Sequence, residues 1–267
     1  MTSSHSPQLA LIRSLIERRF RFDPATETPG TIRVERGAVL ADAVINRTQA
    51  IDSWPGFDSD ALRVVDGSGH ARSVYPGLMR YCLALAASGR LGLVPAHHRS
   101  PGSAPPTGFR DGINPARLGG TITGGVWSAL ADWAANESAR SAELIRGVIA
   151  NRSADGSFLT PSPADNPETF WFHDLILLHA ADAFADLSGD PAAADAARAA
   201  AEYHQNRTQP DHATGEPWGL SAFLKSPATA ETADALLHTV QITHPNGPRG
   251  VTLLLLADTL YRAQLGG

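Results

Sequence analysis

Apolar residues recur at intervals of three and four over residues 7–20, 36–49, 73–88, 122–135, 138–150, 168–187, 191–206, 227–240 and 247–265. That spacing keeps side chains on one face of an α-helix. Strand-like alternation is rare, and its best short instance, Thr31–Val34, reads either as one isolated strand or as extended loop. The pattern therefore predicts an all-α protein. Asp66-Gly67, Asp111-Gly112 and Asp155-Gly156 punctuate it at separations of 45 and 44 residues, with Thr214-Gly215 as a candidate fourth turn. A period of this length fits a helix–turn–helix unit that stacks on its neighbours to bury its apolar face. The alternative is that Asp-Gly is simply a favoured turn pair.

Two connections interrupt the helices. Residues 95–120 are rich in Pro and Gly and too long for a routine loop, so they read as a lid, an insertion or a crossover. Residues 207–219 are shorter and chemically richer. The whole chain, 1–267, reads as one helical domain, with residues 1–60 as an N-terminal brace.

Composition narrows the functional classes. A net charge of −5 makes nucleic acid a poor partner. Lys225 is the only lysine, and the bias towards Arg and Ala reads as coding composition. Cys82 is the only cysteine, so no intramolecular disulfide and no multi-thiolate site can form. The polar start Met1–Pro7 and the charged segment after it match neither a signal peptide nor a membrane span, which points to a cytoplasmic protein with no membrane partner.

Asp155-Gly156-Ser157-Phe158, set between two helices, resembles the Asp-Gly-Ser-aromatic turn of α/α-toroid proteins of the terpenoid-cyclase and prenyltransferase type. The helix pair that follows, carrying Trp171, His173-Asp174 and the connector Ser188-Gly189-Asp190-Pro191, resembles a hairpin of the six-hairpin glycosidases. The resemblance implies a toroid or partial toroid of helical hairpins, with any active site in the pit at one end. The Asp-x-Asp-Asp acid of the cyclases and the zinc-ligand pattern of the prenyltransferases are absent.

Candidate chemistry lies late in the chain. A helical projection of 168–187 places Glu168, His179, Asp182 and Asp186 on one face, opposite Phe170, Leu177, Ala181 and Phe184. His173 and Asp174 flank the apolar stripe, where a polar pair must find partners or line a cavity. Glu168 reads as a helix-start carboxylate. In the loop, Asp211, His212, Glu216 and Trp218 fall within eight residues. Asp174, Asp211 and Glu216 are the candidate catalytic acids and bases, because glycosidic cleavage needs two carboxyls across the bond. Trp171, His173, His212 and Trp218 are the candidate substrate-binding residues. A structural hydrogen-bonding pair at 173–174 and a turn cluster with a docked Trp218 are the competing readings. Glu231, Asp234 and His238 read as a solvated face, and Asp258 and Arg262 as an i,i+4 ion pair. No metal or cofactor is assigned, since the histidines lack a recognised ligand spacing.

Three functions follow as expectations. The first is a protein that binds, and in an enzymatic version cleaves, a carbohydrate or other small ligand in a carboxylate-lined pit. The second is a noncatalytic helical scaffold for another protein. The third is a terpenoid-type pocket.

Overall fold

The computed structural model describes residues 6–21, 57–58, 63–65, 71–72, 77–78, 81, 85, 122–160, 167–248 and 250–265. The expected helix at 36–49, Thr31–Val34, Cys82, the Asp66 and Asp111 turns and the 95–120 connection lie outside them.

The described residues are predominantly helical. In chain order they form α1 (Ser6–Arg21), β1 (Phe57–Asp58), β2 (Arg63–Val65), β3 (Ala71–Arg72), α2 (Ile122–Asn136), α3 (Ala139–Ala150), α4 (Pro167–Ser188), α5 (Pro191–Arg207), α6 (Pro210–Ala213), α7 (Leu220–Phe223), α8 (Ala230–Thr243) and α9 (Gly250–Leu265). The expected helical fold class is thus seen in the described residues, with a small antiparallel sheet beside the helices in the order β1-β2-β3, which pairs Phe57 with Val64 and Val64 with Arg72. Its strands are two or three residues long, too short for an alternating pattern to register.

Two helices form the centre. From Asp174 to Ala185 every residue of α4 is buried, and so is every residue of α9 from Val251 to Arg262. A helix apolar nearly all round can satisfy the hydrophobic effect only by being enclosed. The surrounding helices bury one stripe each. In α5 that stripe is Ala193, Ala196, Ala197, Ala200, Ala201 and His204, and its small side chains let α5 pack along α4. In α8 it is Thr232, Ala233, Leu236, Leu237 and Val240, while Glu231, Asp234 and His238 are exposed as the amphipathic pattern predicts. Helix α1 packs on α8 and α9 through Ile12, Leu15 and Ile16.

Polar capping fixes the helix starts. Asp190 accepts hydrogen bonds from Ala192 and Ala193 N–H and caps α5, with Pro191 preset for the first turn. Its other oxygen receives Arg146 Nε of α3 at 2.7 Å, so the cap also joins two hairpins. Ser138 caps α3 in the same way by accepting from Ser141 N–H.

The Asp155-Gly156-Ser157-Phe158 segment forms a turn pressed against α5. Asp155 Oδ1 accepts from both Ser157 N–H (3.1 Å) and Ser157 Oγ–H (2.8 Å). Gly156 has φ +102°, and a Cβ there would lie 2.7 Å from the Ala199 carbonyl oxygen. Both the backbone conformation and the space demand glycine. Gly156→Ala should lower the unfolding free energy by about 1–3 kcal/mol, measured by urea denaturation; an unchanged midpoint would show that the turn does not depend on this contact.

Candidate functional site

Two polar assemblies branch from α4, and they differ in their access to solvent. The first is buried between α4 and α9. Asp258 Oδ1 accepts from Tyr81 Oη–H at 3.0 Å, and its Oδ2 accepts from Arg262 Nε at 2.8 Å. Arg262 Nη1 donates to Asp182 Oδ2 and to Asp186 Oδ2, the latter at 3.1 Å. Lys225, just past α7, donates to the other oxygens of both carboxylates. Arg262 has no exposed side chain, whereas that of Lys225 is 45% exposed. The ionic cluster therefore reaches the surface at the Lys225 and Asp186 end.

His179 completes this assembly, and its tautomer follows from its partners. Gly219 N–H donates to Nδ1 at 3.2 Å, so Nε2 carries the hydrogen and donates to Asp258 Oδ2 at 2.9 Å. The 3.2 Å approach of Arg262 Nη2 to Nε2 is then a contact between two N–H groups and not a hydrogen bond. Burial lowers the His179 pKa against the opposing hydrogen bond to Asp258. Burial would raise the Asp258 carboxyl, but the Arg262 charge and the His179 bond overcome it and bring it to about 2. Asp182 is likewise held below its ordinary range by Arg262 and Lys225 against the cost of burial. With His179 neutral, three carboxylates face two cations, and every hydrogen-bonding oxygen of the trio is engaged. Trp127, Trp218 and His179 pack as aromatic neighbours, with ring centroids 5.6–5.8 Å apart, on the side away from solvent. This assembly reads as a structural lock.

The second assembly begins at Asp174, which has no exposed surface. Its Oδ1 accepts from Phe158 N–H and Leu159 N–H, each at 2.8 Å. Oδ2 faces His204 Nε2 of α5 at 3.0 Å, and His204 Nδ1 faces Thr208 Oγ1 at 2.9 Å. One carboxylate thus clamps the Asp-Gly-Ser-Phe turn and orients an imidazole on the next helix. Beyond that turn lies a cleft of about 600 Å³ between Ala150–Gly156 and α5, lined by Arg152, Asp155, Glu202, Tyr203, Asn206 and Arg207 among others. Burial raises the Tyr203 phenol pKa, assisted by the charges of Asp155 and Asp174, so the hydroxyl remains a donor at neutral pH.

The residues selected from sequence fall mostly outside this cleft. Asp174 sits in the core behind it, with its oxygens bonded to Phe158, Leu159 and His204, so it does not itself touch a ligand in the cleft. Trp218 is fully buried and cannot serve as an exposed platform. Its indole Nε1 donates to Glu216 Oε2 at 2.7 Å, so Glu216 anchors the tryptophan. Asp211 is half-buried and lies 4.0 Å from the exposed His212 in α6. Trp171 and His173 are half-buried near the start of α4, and His173 makes an edge contact with Phe172. No hydrogen bond links Asp174, Asp211 and Glu216 to one another among the described residues, and none of the three lines the cleft.

Periodicity carried a signal for two buried groups, His204, which was not read as a site residue, and Arg262, which was read only as the partner of Asp258. His204 continues the stripe of Ala193, Ala197 and Ala200, and Arg262 lies in a helix apolar on all sides; both positions require a buried partner. The supposed polar face of α4 is corrected for the same reason: His179 and Asp182 are buried against Arg262 of α9. Among the described residues no group of three or more His, Cys, Asp or Glu is arranged to hold a metal ion, and no helix is long and apolar enough to cross a membrane. No family model matches the chain, and neither a curated protein nor a solved structure matches it.

Removing one partner of the buried cluster leaves charge uncompensated. Arg262→Met should therefore cost about 3–5 kcal/mol of unfolding free energy, measured by urea denaturation. A loss below 1 kcal/mol would show that the cluster is solvated in solution.

The pKa directions set an acid limit. Asp258 titrates lower in the folded chain than its ordinary 3.8, so its stabilising contribution is present above that value and lost as pH falls towards about 2. His179 titrates below its ordinary 6.5 when folded, so the unfolded chain takes up the proton first and stability declines as pH drops beneath 6.5. Thermal unfolding between pH 7 and 2 should show both losses, and His179→Gln should flatten the upper one.

Proposed function

We propose that the protein binds a short carbohydrate in the cleft between the Asp155-Gly156 turn and α5, and that it does so without cleaving it. The observation that carries this reading is the cleft lining. Arg152, Asn206, Arg207 and the Tyr203 hydroxyl supply donors, Asp155 and Glu202 supply acceptors, and the Tyr203 ring supplies an apolar surface. Two cations and two carboxylates leave the lining formally neutral. Such a mixture favours an uncharged ligand dense in hydroxyl groups, which needs both donors and acceptors for orientation. An isoprenoid would leave these polar groups unpaired.

Binding without cleavage follows from the placement of the carboxylates proposed for catalysis. Asp174 is enclosed and saturated, and Glu216 is tied to the Trp218 indole. Retaining and inverting cleavage both need a carboxyl pair flanking the bond; the trio provides none at the cleft, and of the two carboxylates that line it Asp155 is held to its own turn by bonds from Ser157 N–H and Oγ–H, which leaves Glu202 without a partner acid. The toroid reading belongs here too. It is supported by the hairpins α2–α3 and α4–α5, in which an enclosed helix is followed by one that buries a single stripe.

A glycan panel tested by calorimetry should yield a ligand whose affinity falls about tenfold or more in Tyr203→Ala, corresponding to about 1.4 kcal/mol. Binding that is absent across the panel, or indifferent to Tyr203, would overturn the reading. Reducing-end assays on any ligand found should detect no products.

A further inference from the structure

The Asp174–His204–Thr208 chain does more than hold a turn in place. Both donors on Asp174 Oδ1 are backbone N–H groups, which makes this carboxylate an acceptor in charge-assisted bonds. Its Oδ2 therefore receives the Nε2 hydrogen of His204 at 3.0 Å. In the neutral ring this leaves the Nδ1 lone pair facing Thr208 Oγ1 at 2.9 Å.

The Thr208 hydroxyl has one hydrogen and two acceptors within reach. His204 O is 3.1 Å away and already receives Thr208 N–H at 3.2 Å. The imidazole Nδ1 is nearer and is bonded to no other donor among the described residues. The hydrogen thus belongs on the line to Nδ1, and the Oγ lone pairs are left to point elsewhere. Nucleophile, base and orienting carboxylate stand in the relation that activates a hydroxyl for attack. Burial protects the base and the acid, neither of which has exposed surface, while Thr208 is half-buried at the point where α5 meets the 207–219 segment.

We propose that Thr208 is a nucleophile activated by His204 and Asp174, and that it accepts the acyl group of a small ester. In the first step Thr208 Oγ bonds to the ester carbonyl carbon as its proton passes to His204 Nδ1, and Asp174 balances the imidazolium charge. The carbon–oxygen bond to the alcohol then breaks, and His204 returns the proton to the leaving oxygen, so that a threonyl ester and a free alcohol result. Water, deprotonated by His204, cleaves that ester to the carboxylic acid and restores the hydroxyl. Only ester and water are consumed. This activity is independent of carbohydrate binding in the cleft, although Asn206 and Arg207 of that cleft immediately precede Thr208.

The full chain treated with p-nitrophenyl acetate tests the assignment. Release of p-nitrophenolate should be accompanied by one acetyl group on Thr208, located by peptide mass spectrometry. Thr208→Val preserves shape but removes the hydroxyl, and it should abolish that acetyl group; Thr208→Ser should restore it. His204→Gln, which leaves the threonine in place, should slow acylation by about 100-fold or more. If His204→Gln does not fold, the Thr208→Val and Thr208→Ser pair decides the matter alone. Acetyl groups found only on Lys225, a histidine or the α-amine would overturn the proposal. So would equal rates of phenolate release from Thr208→Val and the parent chain.

Discussion

The charge of Arg262 has to be carried inside the protein. Its guanidinium has no exposed side-chain surface, and removing such an ion from water costs several kcal/mol even after relaxation. The fold compensates by bringing Asp182 and Asp186 from α4 and Asp258 from α9 to its nitrogens. Those contacts fix the axial register of the two central helices. A slip of one turn, about 5.4 Å, would leave a charge unpaired in the core. Tyr81, Gly219 and Lys225 join the same set from three other parts of the chain. An apolar replacement of the whole set could be equally stable, so the cluster's distinctive contribution is to permit one arrangement of α4, α7 and α9 while penalising its neighbours.

Asp174 applies the same constraint with less charge. One carboxylate satisfies two backbone N–H groups of the Asp-Gly-Ser-Phe turn and one imidazole, and so joins α4, the turn and α5. The turn can lie this close to α5 because Gly156 has no side chain, and the turn and α5 together form walls of the cleft. That wall of the cleft is thereby held in place by a group that never reaches solvent. Such support from behind is what a binding wall requires if its polar groups are to stay aimed.

Apart from the four-residue α6, which lies in the stretch read as loop, the helices among the described residues were legible because their apolar stripes are long and regular and because Asp190 and Pro191 mark the start of α5. The strands were not, since two or three residues cannot display a period. Within the candidate site, periodicity set His173 and Asp174 at the flanks of an apolar stripe and required partners for them; α4 is instead buried all round from Asp174 to Ala185, and Asp174 finds its partners inside the core. Periodicity could not say which partner, because His204 lies 30 residues further on and Phe158 lies 16 residues before. Asp258 and Arg262 were readable as an i,i+4 pair, and they do pair at 2.8 Å. Their enclosure, and the presence of Asp182 across the helix interface, depend on tertiary packing that one helix cannot reveal.

Clustering of polar residues in sequence did not place their side chains in the cleft, and hydrogen-bond accounting shows where they are used instead. Asp211, His212, Glu216 and Trp218 stand together in the chain, yet Glu216 is occupied by the Trp218 indole and Trp218 is buried. A group can act on a ligand only if it retains an unused lone pair or proton that solvent can reach. In the Arg262 cluster the carboxylate oxygens are engaged, which excludes that role even though Asp182 and Asp258 are held below the usual carboxylate range. In the Asp174 chain the two buried members are also engaged, but the chain ends at a half-buried hydroxyl with lone pairs to spare. The distinction between a structural lock and a reactive relay therefore rests on the terminal atom, and it is at Thr208 that the capacity of the interior is handed to the surface.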